Sequence, residues 1–200
     1  MMNRPIVRRT QAERTRETRE RILLCAADLF SKHGFNGAVM AEIAAAAGLS
    51  LPGLLHHFPN KNILLMAVLA ERDKANGQRF QPEQTGKYPP PFSAFLELVE
   101  FNQSVPGMVK LFTILVAESL QEDHPAHSFF VGRYSNARID LVSLIKKAQQ
   151  DGELRKDLSA DDVFSLVFAV MDGLQIQWLL QPQSINMAKT FASFIKLLQP

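Results

Sequence analysis

The side chains best suited to chemistry in this 200-residue chain are hydrogen-bond donors gathered near its front. His56, His57 and Lys61 stand close together, just behind Ser50, Leu51, Pro52, Gly53 and Leu55. An imidazole can donate or accept, and an ammonium only donates. Such a group suits contact with an acceptor-rich, negatively charged surface better than it suits bond cleavage. Arg8, Arg9 and Arg14 lie upstream and extend the basic character. No nucleophile elbow, phosphate-binding glycine loop, HExxH pair or dinucleotide fingerprint occurs, so an enzyme is not expected. His124 and His127 bracket Pro125 with ligand-like spacing, but no cysteine or clear third ligand lies nearby, so no metal site is expected.

The elements that must position the donors lie between Ala41 and Lys61. Ile43, Ala44 and Ala47 form an apolar stripe at helical spacing. Gly48 can take the positive φ that a helix C-terminus commonly needs. Ser50 is then a good N-cap, and Pro52 fits the first turn of the helix it opens. Phe58-Pro59 stops that helix, and Asn60 caps the next. Two short helices joined by a glycine turn, at about residues 40–58, make a helix-turn-helix, whose second helix lies in the DNA major groove.

Composition sets the surroundings. The apolar fraction of 46% and charged fraction of 21% are ordinary for a globular protein with a sizeable core. The net charge of +2 is unevenly spread: residues 1–74 carry eleven Lys/Arg against seven Asp/Glu, and residues 75–200 eleven against thirteen. Only the front is expected to meet a polyanion. A single cysteine, Cys25, excludes an internal disulfide framework and suits a reducing cytoplasm. Its place beside Ile22 and Leu29 reads as a buried structural thiol. No signal peptide and no membrane partner are expected.

Thr10 and Glu13 form a capping box that opens a helix running to about His33 and Gly34. Its arginines read either as a solvated face or, beside a helix-turn-helix, as phosphate contacts. The segment RERILLCAADLFSKHGFNGAVMAEIAAAAGLSLPGLLHHFPNKNILLMAVL resembles the DNA-binding domain of the TetR family of bacterial transcriptional regulators. The R-I-L-x-x-A-x-x-L-F helix, the G-F to I-A spacing, the A-G-L-S turn and the H-F-P-N-K exit carry the likeness, ungapped from about Arg19 to Leu69. It implies an all-α protein: a three-helix DNA-binding domain at 1–76, then a helical effector-binding and dimerisation domain at 77–200.

The resemblance also distributes roles. Ser50 caps the recognition helix, Leu51, Pro52 and Gly53 form its groove-facing start, and Leu55 and His56 fall at the family's usual aromatic pair. His57 falls at its near-standard histidine and Lys61 at its phosphate-binding lysine. Leu51, Gly53 and Leu55 replace residues that are often polar, and Val39 replaces a usual Ser/Thr cap. Base reading therefore leans on His56 and on apolar contact with thymine methyls. His57 reads equally as a packing residue.

Behind the front, helices are expected at about 61–76, 92–103, 107–121, 125–150, 160–180 and 184–198, with a turn-rich, proline-rich loop at 81–91. The helix after Ser159 is apolar almost all round and so must be buried on every side. Val163, Val167, Val170 and Leu174, with Phe191, Phe194 and Ile195 of the last helix, are the expected homodimer interface, a four-helix bundle in the resembling family. A small-molecule effector is expected among Phe101, Met108, Phe112, Glu118, Phe130, Arg133, Asp172, Gln175 and Trp178, with no other cofactor. The reading is a ligand-responsive repressor on a palindromic operator. The alternatives are an activator, or a dimeric small-molecule-binding protein whose recognition helix no longer reads DNA.

Overall fold

The computed structural model describes residues 10–79 and 92–200; Arg8, Arg9 and the expected 81–91 loop lie outside that range. Among the described residues the chain is helical, with no strand. The order is α1 (Gln11–Gly37), α2 (Met40–Ala46), α3 (Leu51–His57), α4 (Lys61–Arg79), α5 (Phe92–Ser104), α6 (Pro106–Glu118), α7 (His127–Gln150), α8 (Ala160–Leu180) and α9 (Met187–Leu197).

Local chemistry fixes the helix ends. The Thr10 hydroxyl accepts from the Glu13 amide at 3.2 Å while the Glu13 carboxylate accepts from the Thr10 amide at 2.7 Å, a complete capping box. Ser50 caps α3 through the Gly53 amide, Asn60 caps α4 through Ile63, and Ser159 caps α8 through Asp162. Val39 precedes α2 without a side-chain cap bond. Gly34 breaks α1 at φ 69°, a conformation that favours glycine, and a Cβ there would displace the Glu118 carboxylate.

Two apolar clusters organise the packing. The first gathers Ile22, Ala26 and Phe30 of α1, Ile43, Leu54 and Phe58 of the helix pair, and Leu64, Leu65 and Leu69 of α4. It also takes in Leu111, Phe112 and Leu115 of α6 and Phe130 of α7. Cys25 packs against its edge as a free thiol. Because α6 lies along α1, the core of the front helices continues without a break into the back of the chain. The second cluster joins α5, α7, α8 and α9 around Val99, Ile145, Phe164, Val167, Trp178 and Phe191.

That second cluster corrects the expected interface. Val163, Val167 and Leu174 of α8 and Phe191 and Ile195 of α9 are all buried within one subunit, because α8 turns these positions toward α7 and α9. Val170 and Phe194 are partly exposed. The outer stripe of α8 is instead Leu166, Ala169, Gly173, Ile176 and Leu180, at helical spacing, with Leu166, Ile176 and Leu180 41%, 48% and 77% exposed. Of the described helices, α8 alone has the length and apolar composition to cross a bilayer. Here those apolar residues divide between the core and the outer stripe.

Candidate nucleic-acid interface

The turn between α2 and α3 places a small, nearly neutral surface on the outside of the front helices. Leu54 points into the core, which turns Leu51, Pro52, Leu55 and His56 outward. Gly53 is half-buried beneath Ser50, and His57 is half-buried at the end of the helix. The rings of His56 and His57 meet edge to face at 5.5 Å. Burial, then the neighbouring His56 and Arg19, push the His57 imidazole below its ordinary pKa. His56 is thus the polar side chain standing most freely on this surface.

The cations around the unit divide by what they already hold. Arg19 donates to the His57 carbonyl at 3.1 Å and lies 4.3 Å over the Phe58 ring. Arg21 donates to the Ala47 carbonyl at 2.9 Å. These two tie α1 to the ends of α2 and α3 and are positioning residues. Lys61 reaches back across the unit, donating to the Asn36 and Ala38 carbonyls at 3.2 and 3.1 Å, with its ammonium 4.6 Å from the Phe35 ring centre. An ammonium has three protons, so the two carbonyl bonds do not exhaust its donors. Arg14 is exposed on the first turns of α1.

Behind the interface, α6 is fastened to α1 at the Gly34 break. The Glu118 carboxylate accepts from the Phe35 amide at 2.9 Å. His124 packs edge to face on Phe35 at 5.2 Å, with its Nε2 3.8 Å from Glu118 and without a hydrogen bond. Its Nδ1 accepts from the Ala126 amide at 3.2 Å, so that nitrogen is unprotonated and the proton sits on Nε2. Burial lowers the His124 pKa, against the opposing pull of Glu118 and Asp123. His127 Nδ1 is bonded to the Ser119 carbonyl. The two histidines therefore serve the α6–α7 corner, and no group of three or more metal-ligating side chains occurs among the described residues.

The nine residues expected around an effector fall in several neighbourhoods. Phe101 and Met108 line a cleft between α1, α4, α5 and α6. Phe112 lies under the guanidiniums of Arg72 and Arg133, and Phe130 packs edge-on against it at 5.1 Å. Arg133 donates to Asp73 at 2.6 Å. Glu118 is occupied by the Phe35 amide instead. Asp172 accepts from the Tyr134 hydroxyl at 2.8 Å, and burial raises its pKa against the opposing effects of that bond and of Arg133. Gln175 and Trp178 are buried further along α8. Arg72 and Tyr134 were missed, although Arg72 could have been found: it continues the buried stripe of Leu65, Val68 and Leu69, where an apolar residue belongs.

A helix-turn-helix held outward on a three-helix front, backed by a helical bundle, defines a DNA-binding transcriptional regulator. The chain belongs to the TetR family: residues 22–68 match the family described as bacterial regulatory proteins, tetR family, and residues 93–197 match the BetI-type transcriptional repressor C-terminal family. It is 28% identical to the transcriptional repressor BepR of Brucella suis over 189 residues, 86% of this chain and 85% of that protein. It is 26% identical to the transcriptional regulator TtgR of Pseudomonas putida, covering 91% and 89%. A regulator from Saccharomonospora viridis, solved in complex with choline, shares the fold with a TM-score of 0.75 at 24% identity, covering 90% of this chain and 96% of that one.

Proposed function

We propose that the chain is a repressor that binds a palindromic operator as a homodimer and is released by a small-molecule effector. The observation that carries the reading is the unbroken core from α3 through α1 into α6. With Glu118 bonded to the Phe35 amide, a displacement of α6 must either move α1 or break that bond. A ligand that favours one placement of α6 would therefore shift the population of DNA-binding geometries, by as much as its affinities for the two states differ.

Dimerisation supplies the other half. The outer stripe of α8 is apolar and continuous, and two copies packed through it would relate the recognition helices by a two-fold axis. The repressor assignment draws on the name of BepR, and ligand release draws on the choline complex of the Saccharomonospora viridis regulator. The test is genomic footprinting with the purified protein, followed by titration of the recovered duplex at several salt concentrations. Protection of a two-fold site with half-sites about 34–36 Å apart, or a multiple, is the expected result. Uniform binding without a protected site would favour the degenerate-helix alternative.

A further inference from the structure

The cleft beside Phe101 and Met108 measures about 440 Å³, within the range of about 300–1,000 Å³ usual for small-molecule sites. Leu23 and Ala27 of α1, Val68 of α4 and Val105 before α6 complete its apolar walls. Arg72 also lines it, with a side chain only 8% exposed. The guanidinium lies 3.9 Å from the Phe112 ring centre, and its Nη1 meets no hydrogen-bond partner. Asp73 stands 3.9 Å from that nitrogen but is already taken by Arg133 at 2.6 Å. Two guanidiniums thus share one carboxylate.

A buried guanidinium nitrogen without a hydrogen-bond acceptor is costly, and the protein retains one here in Arg72 Nη1. Burial, with Arg133 beside it, lowers the Arg72 pKa to about 10 despite Asp73. Asn102, 3% exposed, adds a neutral amide to the wall. Glu20 and Glu71 border the cleft too, but both are exposed, and water screens them far more than it screens Arg72.

We propose that this cleft binds an amphipathic carboxylate, with its apolar body between α1, α5 and α6 and its carboxylate on Arg72. Of the buried side chains in the wall, Arg72 is the charged one, and a carboxylate is the anion its guanidinium fork fits. The proposal rests on the reading of the chain as an effector-released regulator and gives that effector a class and a place. Since the cleft has α1 on one side and the start of α6 on the other, an occupant bears on the packing of two helices that Glu118 joins at their other ends.

Calorimetric titration of the full chain with decanoate tests this, with decanol and decyltrimethylammonium as neutral and cationic probes of equal chain length. Decanoate is expected to bind at least about tenfold tighter than either. Arg72→Met should lose at least about tenfold of that affinity, whereas Arg72→Lys, which keeps the charge, should lose less. Met108→Trp fills the apolar part of the cleft, leaves the Arg72 cluster in place, and should abolish decanoate binding at unchanged helicity. That variant carries the test if Arg72→Met does not fold. Equal binding of the three probes, preference for the cation, or decanoate binding indifferent to these variants would overturn the site. DNA binding is measured in the same preparations: DNA bound but decanoate ignored removes the site alone, while a chain that binds no DNA removes the regulator reading itself.

Discussion

At the residue scale, the front of the chain separates side chains that build the reading unit from those that face outward. Lys61 does the first, through two carbonyl bonds that use two of its three protons. Lys61→Met should lower stability by about 1–3 kcal/mol, the value of charge-assisted bonds to carbonyls, and should lower the salt slope of DNA binding by about one unit. A lower melting temperature with the parental salt slope would leave Lys61 as a positioning residue only. His56, exposed on α3, should govern discrimination: His56→Ala should cost about 1–3 kcal/mol in specific affinity and spare non-specific binding. Equal loss in both would make it a phosphate contact. Two histidines, one buried and one half-buried, set the pH response. His124 and His57 have pKa values below the ordinary 6.5, so the unfolded chain binds their protons more readily. Stability should be full at neutral pH and fall as pH drops through about 6.5, and His124→Gln should make thermal unfolding less sensitive across that window. Asp172 has the opposite sign, since its raised pKa makes the ionised form a cost above the ordinary carboxylate value. Asp172→Asn keeps an acceptor for Tyr134 and should leave the melting temperature at pH 7 unchanged or higher.

At the element scale, the helices were legible because their ends carry strong local chemistry. Thr10 with Glu13, Ser50, Asn60 and Ser159 each bond the amide three residues on, as their types and spacing demand. The exit from α6 was less legible. The expected helix to about residue 121 stops at Glu118, where the turn through Ser119 and His124 gathers side-chain bonds that no periodicity announces. The faces of α8 were the harder problem. A helix apolar all round does not declare which stripe meets its own subunit, because both stripes are made of the same residue types. Only packing against α7 and α9 separates Val163, Val167 and Leu174 from Leu166, Ile176 and Leu180. The two sets predict different failures. Leu166→Arg with Ile176→Arg should give a folded monomer in sedimentation, whereas Val167→Arg should unfold the chain, because it buries an unpaired charge. A dimer that survives the double substitution would place the interface elsewhere.

At the scale of the whole molecule, the chain couples a reading unit to a bundle through one shared core. Why the effector candidates scattered follows from this. Aromatic side chains such as Phe112, Phe130 and Trp178 look alike in sequence whether they fill a core or line a cavity, and here they fill cores. The cleft drew its walls from α1, which sequence assigns to the front domain, together with α4, α5 and α6. A site that straddles two expected domains is not visible to a reading that divides the chain first. In the proposed mechanism this junction carries a small-molecule signal to α3. Duplex binding by the parent chain and by Glu118→Gln, measured against the protected site with and without effector, tests it most directly. The amide keeps an acceptor for the Phe35 N–H but gives up the charge, so the seam should loosen without unfolding. Glu118→Gln should bind the site with altered affinity and with a coupling to effector changed by about fivefold or more. Affinity and coupling both equal to those of the parent, at equal stability, would contradict that mechanism.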